Sequence, residues 1–212
     1  MKISLALAAL AVLSSPAIAG GPTMVADDPM PAAAPDPVAV HDWSGPYAGL
    51  SYGRISGDYE EVFGFASDYS SGSAVGAFVG YNVQRGQIVY GGELSYSSVS
   101  DVALEAGGGD DTLDSLLDLR GRIGYSVGKA LIYGAVGYSR GEWTINSTGG
   151  GTLSGSSLGV GVDVAVSQRM FVGLDYTSRR MDGTLDSFSG GGAFDVESTT
   201  TNSVSLRVGL SF

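Results

Sequence analysis

Ser203-Val204-Ser205-Leu206-Arg207-Val208-Gly209-Leu210-Ser211-Phe212 alternates apolar residues with small, polar or charged ones over ten positions. In an extended chain successive side chains point to opposite faces. Val204, Leu206, Val208, Leu210 and Phe212 therefore make one continuous hydrocarbon face, and Ser203, Ser205, Arg207, Gly209 and Ser211 a small, polar or charged one. A strand of a water-soluble sandwich can alternate in the same way, so the pattern gains weight only where other strands repeat it.

Working outward from that stretch, the repeats are found. Met170 to Arg180 puts Met170, Val172, Leu174 and Tyr176 on the apolar face and Asp175 on the other, and Ser157 to Ser167 puts Leu158, Val160, Val162, Val164 and Val166 against Asp163. Leu116 to Val127 opposes Leu117, Leu119, Ile123, Tyr125 and Val127 to Asp118, Arg120 and Arg122. Gln87 to Ser97 opposes Ile88, Tyr90, Leu94 and Tyr96 to Glu93, and Ser73 to Gln84 opposes Val75, Ala77, Val79, Tyr81 and Val83 to Gly76, Phe78, Gly80 and Asn82. In Ala130 to Gly141, Tyr133 and Tyr138 have opposite parity, so one faces inward or a bulge intervenes. In Pro46 to Ile55, Tyr47 competes with Ala48, Leu50 and Tyr52 for the outer face. Together these make about eight strands.

The spacing between strands carries a second signal. Arg85-Gly86, Gly128-Lys129 and the break after Ser167 leave turns of about two or three residues, whereas the other four connections are each roughly 15 to 22 residues long. Strict alternation of short and long connections is the signature of an up-and-down barrel with two different ends. Aromatic residues give a third: Tyr81, Tyr90, Tyr125, Tyr133 and Phe212 fall near the short-turn ends, and Tyr52, Tyr96, Tyr138 and Tyr176 near the long-loop ends. Two such belts are expected at the two interfaces of a bilayer. The fold expected is all-β: an eight-stranded antiparallel up-and-down transmembrane β-barrel over residues 43–212.

The N-terminus reads differently. Lys2, the apolar run Ile3 to Leu13 and the small-residue site Ala17-Ile18-Ala19 form an export signal over residues 1–19. Residues 20–42 contain Pro22, Pro29, Pro31, Pro35 and Pro37 without apolar periodicity, as in an extended linker. No other run approaches the roughly 20 apolar residues of a membrane-spanning helix, so insertion into a bilayer requires strands that satisfy their backbone groups by closure. The chain has 34 Gly, no Cys and a formal charge of -11. Without Cys there is no disulfide staple, and without a basic footprint nucleic acid is not an expected partner.

Trp43-Ser44-Gly45-Pro46-Tyr47-Ala48-Gly49, Gly91-Gly92-Glu93, Arg120-Gly121-Arg122-Ile123-Gly124-Tyr125 and the terminal Phe212 resemble the porin-like, OmpA-type family of small outer-membrane barrels of Gram-negative bacteria. The resemblance spans residues 43–212 and implies a cell outer membrane location, with both termini in the periplasm. It further implies that Leu206, Val208, Leu210 and Phe212 are the C-terminal signal read by the barrel-assembly machinery, and that outer-membrane lipid and lipopolysaccharide are the surroundings. A folded peptidoglycan-binding module like the C-terminal periplasmic domain of OmpA is not among the expectations.

Inward-facing Glu93, Asp118, Asp163 and Asp175 with Arg120, Arg122 and Arg207 are expected to form an ion-pair network, because eight strands leave a lumen that side chains fill and unpaired charge there is costly. Arg54, Arg140 and Arg180, at the strand tops, point outward and are candidates to grip lipopolysaccharide phosphates. Most remaining acids, among them Asp58, Glu60, Glu61, Asp101, Glu105, Asp182 and Asp186, fall in the long connections. Asp110-Asp111 follows three glycines, but its spacing matches no ordered Ca²⁺ loop. His41 is the only His and lies in the linker, which leaves no barrel-borne His-Ser or His-Asp pair for catalysis. Neither cofactor, metal nor enzymatic activity is expected. Three functions fit these residues: a structural, envelope-stabilising barrel, a narrow pore for ions or small solutes, and an adhesin or receptor working through its long loops.

Overall fold

The structure, a computed structural model, describes residues 40–60, 66–68, 71–100, 112–145, 149–186 and 193–212. Its strands are β1 (Gly45–Glu60), β2 (Ala66–Asp68), β3 (Gly72–Arg85), β4 (Ile88–Ser100), β5 (Thr112–Val127), β6 (Ala130–Ile145), β7 (Gly149–Ala165), β8 (Met170–Asp186) and β9 (Ala193–Ser211). Each barrel strand pairs antiparallel with its neighbours, and β9 returns to β1 from Tyr47↔Ser211 to Tyr59↔Thr199. That last ladder closes eight strands into a barrel; β2 is a three-residue arm that pairs, among the described residues, with β1. Closure leaves no barrel edge along the stretch where all eight ladders run, so the backbone polar groups there are satisfied without water.

Alternation sets what lies inside. Val204, Leu206, Val208, Leu210 and Phe212 are exposed on the outer wall, as are the apolar positions expected on β3, β4, β5, β7 and β8, apart from half-buried Val83, Val162 and Val172. Two open assignments resolve. On β1, Tyr47 faces the lumen and Leu50 and Tyr52 face out. On β6, pairing runs without a register shift against β7, so Tyr133 faces inward and Tyr138 outward. Tyr133 is thereby removed from the outer aromatic belt, which at the short-turn end consists of Tyr81, Tyr90, Tyr125 and Phe212.

Most strands run beyond their expected bounds at the long-loop end. β5 begins at Thr112, β6 reaches Ile145, β7 begins at Gly149 and β8 reaches Asp186. There the pattern inverts, with polar residues outside and Ile55, Val99, Leu113, Leu116, Trp143, Leu153, Met181 and Leu185 packed inside. Past the apolar band the outer wall is polar, and the interior becomes the dry side. Bulges at Leu113/Ser115 and Met181/Gly183 adjust register in this collar, and the first lets Leu113 and Leu116 both point inward. The short turns are Gly86-Gln87, Gly128-Lys129 and Val166 to Arg169; the last is longer than expected, and Gly86 and Gly128 take φ of 62° and 60°, where a Cβ would be strained.

The short-turn mouth is covered by the segment that precedes β1. The Trp43 N–H donates to Gln84 Oε1 at 2.8 Å, and the His41 N–H donates to the Gly128 carbonyl at 2.8 Å, across the barrel from β1 in the strand order. Trp43 is buried edge-on against Phe171 with 5.9 Å between centroids, and His41 packs edge-on to Trp43 at 4.8 Å. The Ser44 N–H donates to Asp42 Oδ1 at 2.9 Å and holds that carboxyl below its ordinary value.

Much of the glycine has a packing reason. Tyr47, Phe78, Tyr133 and Phe171 each lie over the glycine directly opposite on the adjacent strand: Gly80, Gly49, Gly161 and Gly209. A Cβ at any of these glycines would enter the facing ring. An eight-stranded lumen accepts large rings only where the facing wall has no side chain.

Candidate functional site

Strand pairing brings the charges together before any side chain is considered. Glu93 on β4 is directly opposite Arg120 on β5, and Gly173 on β8 has Asp163 of β7 on one side and Arg207 of β9 on the other. Inside so narrow a barrel the remaining gap is short, and the long guanidinium stems cross it.

Glu93, 1% exposed, is the hub. Its Oε1 accepts from Arg120 Nη2 at 2.5 Å, and its Oε2 from Arg207 Nη2 at 2.5 Å, Arg122 Nη1 at 2.8 Å and Tyr47 Oη at 3.0 Å. Asp175 Oδ1 accepts from Arg120 Nη1 at 2.9 Å and Thr177 Oγ1 at 2.7 Å, and its Oδ2 from Tyr133 Oη at 2.8 Å, with Arg207 Nη1 at 3.5 Å. Asp163 Oδ2 accepts from Arg122 Nη2 at 2.7 Å. The Arg122 guanidinium also stacks 3.8 Å from the Tyr133 ring centroid, and that of Arg207 4.0 Å from Phe78, which adds cation–π attraction in a dry setting.

A second group lies toward the loop end. Asp118 is gripped bidentately by Arg179, Nε to Oδ1 at 2.8 Å and Nη2 to Oδ2 at 2.7 Å, and accepts from Ser139 Oγ at 2.5 Å. Arg179 Nη1 donates to Ser203 Oγ at 2.8 Å. A cavity of about 30 Å³ separates the groups around Glu93 and Asp118, edged by Ser51, Ser95 and Ser205. That is room for a water or two and not for a solute.

All seven residues expected in the lumen face it and are ion-paired: Glu93, Asp118, Arg120, Arg122, Asp163, Asp175 and Arg207. The sequence reading missed Arg179, the partner of Asp118, and the buried hydroxyls of Tyr47, Tyr133 and Thr177. Parity was the available signal, since Arg179 and Thr177 are in phase with Asp175 along β8. With Arg179, the described residues of the lumen include four carboxylates and four guanidiniums, whose charges balance. Apolar clusters cap this layer at both ends. Trp43, Tyr47, Phe78, Val89, Leu131, Tyr133, Ala165 and Phe171 fill the short-turn side, and the collar residues fill the loop side.

Arg54, Arg140 and Arg180 stand on the outer face at the loop end, exposed, and Arg140 Nη2 reaches Thr152 Oγ1 at 3.3 Å. Leu206, Val208, Leu210 and Phe212 are on the outer wall. Asp110 and Asp111, the export signal and residues 20–39 of the linker lie outside the described residues.

Residues 5–212 match the family model for the outer membrane protein beta-barrel domain. A relative from Rhizobium leguminosarum bv. viciae, the 22 kDa outer membrane protein, is 35% identical over 183 residues, which cover 80% of this chain and 78% of the relative. Among solved structures, Neisserial surface protein A aligns with a TM-score of 0.50 at 13% identity over 80% of this chain and 98% of its own. Ail, the attachment invasion locus protein of Yersinia pestis, aligns at 0.48 with 9% identity over 79% and 99%. The likeness to these structures is one of fold.

Proposed function

The chain belongs to the family of outer membrane protein β-barrel domains, and from that premise we propose that it is a sealed, structural barrel that supports envelope integrity and does not conduct. The neutral ion-pair layer held between two apolar plugs carries this reading. An ion entering the lumen would have to displace a guanidinium from two carboxylates at once, leaving buried charge unpaired at several kcal/mol. A pore would instead need a continuous water-lined path.

Single-channel recording of the refolded full chain in a planar bilayer tests it, with heat-dependent gel mobility as the check on folding. Silent bilayers are expected. Stable, uniform conductance steps would replace this reading with that of a narrow pore, and the lumen charges would then be its selectivity residues.

In the same reading the short-turn end faces the periplasm after cleavage of the export signal behind Ala19, and Leu206 to Phe212 are read by the assembly machinery. The loop end then faces lipopolysaccharide, with Arg54, Arg140 and Arg180 pairing with its phosphates above the belt of Tyr52, Tyr96, Tyr138 and Tyr176. Among the described residues these exposed guanidiniums have no ion-pair partner, and Arg140 touches only the Thr152 hydroxyl, which supports that assignment, since a guanidinium grips phosphate bidentately. Changing all three to alanine is expected to reduce the lipopolysaccharide that copurifies with the folded barrel severalfold. An undiminished yield would remove these arginines from the contact.

A further inference from the structure

Apart from Lys2, the bases outside the lumen occupy two rims: Arg54, Arg140 and Arg180 at the loop end, and Arg85, Lys129 and Arg169 at the short-turn end. The second set falls one to a turn. Arg85 closes β3 ahead of Gly86-Gln87, Lys129 completes Gly128-Lys129, and Arg169 ends the turn before β8. No acid occurs in these turns, although acids outnumber bases 22 to 11 along the chain. All three bases are exposed, and none has an ion-pair partner among the described residues. Asp42, the side-chain carboxylate that lies outside the lumen at this end among the described residues, is already capped by the Ser44 N–H.

Their height matters as much as their charge. Arg85 pairs across the turn with outward-facing Ile88, so alternation turns it away from the lumen. Outward Tyr81, Tyr90 and Tyr125 lie a few residues inside the rim and mark the interface. A basic side chain there keeps its stem against hydrocarbon and lifts its charge to headgroup level. The bases are spread around the circumference, one per hairpin, and the mouth between them is covered by His41 to Ser44. Such a spread suits separate lipids more than one polyanion laid across the mouth.

We propose that the short-turn rim is a binding surface for anionic glycerophospholipids, with one headgroup phosphate at each of Arg85, Lys129 and Arg169. This goes beyond the sealed-barrel reading and holds whether or not the barrel conducts. The test is electron paramagnetic resonance of the refolded full chain in phosphatidylcholine vesicles, comparing association of spin-labelled phosphatidylglycerol with that of spin-labelled phosphatidylcholine. Two triple variants are compared after heat-dependent mobility has shown each to be folded: Arg85→Gln/Lys129→Gln/Arg169→Gln and Arg54→Gln/Arg140→Gln/Arg180→Gln. The native barrel is expected to prefer phosphatidylglycerol about fivefold at low salt, with the preference fading in molar salt. The short-turn variant should lose that preference. The loop-rim variant should keep it, because that variant leaves Arg85, Lys129 and Arg169 in place. A short-turn variant that retains the preference, or a native barrel that has none, overturns the proposal.

Discussion

Glu93→Ala is expected to lower the stability of the barrel by about 3 to 5 kcal/mol, the usual cost of removing one partner from a buried charge cluster. Glu93 is the acceptor shared by Arg120, Arg122 and Arg207. Without it Arg120 and Arg207 fall back on Asp175, and Arg122 on Asp163, so among the described residues four guanidiniums face three carboxylates, beside a cavity of about 30 Å³ that is too small for bulk water. The measurement is the urea midpoint for refolding into detergent micelles, followed by gel mobility. Arg120→Ala should cost a similar amount, because it strips one ion pair from both Glu93 and Asp175. Midpoints that do not move would mean that water or relaxed side chains carry the charge and that the layer is not a plug.

Gly173→Ala should cost about 1 to 3 kcal/mol, the range for adding a methyl group where there is no room. A Cβ at Gly173 would overlap the Asp163 carboxylate and lie 2.7 Å from the Val162 carbonyl oxygen. The carboxylate cannot retreat without leaving Arg122, to which it is bonded at 2.7 Å. The cost should shrink when Asp163 is changed to Ser in the same chain, since part of the clash is with that side chain. Equal losses in both backgrounds would assign the whole effect to backbone crowding and none to the ion pair.

These two positions show how unevenly the sequence displayed the molecule. The inward phase of Glu93, Arg120 and Asp175 was legible because alternation is local: each residue's face follows from its neighbours' faces along one strand. That Asp163 and Arg207 both flank Gly173 was not legible, because it depends on registers between strands, which are fixed by closure of the whole sheet. Arg179 could have been placed by parity, yet its partner Asp118 lies 61 residues away along the chain. Tyr133 was ambiguous for a related reason. An aromatic residue is at home both in an interfacial belt and in a lumen opposite glycine, and only its pairing with Gly161 separates the two.

The collar at the loop end marks the other boundary of sequence reading. Apolar residues facing outward identify a strand only while lipid surrounds it, and beyond that level Leu113, Leu153 and Leu185 face inward with polar neighbours outside. A rule tuned to the membrane band ends the strand there, whereas the ladder of hydrogen bonds continues because the adjacent strands continue. Period-two patterning in the sequence was enough to set the barrel, its number of strands and seven of the eight described charges that line it, whereas the connections at the loop end are shorter than their expected lengths because the strands run on, with β6 and β7 only three residues apart. Tertiary structure alone decided which charges pair, where each strand ends and how the mouth is covered, because those depend on side chains that meet only after the last strand has closed on the first.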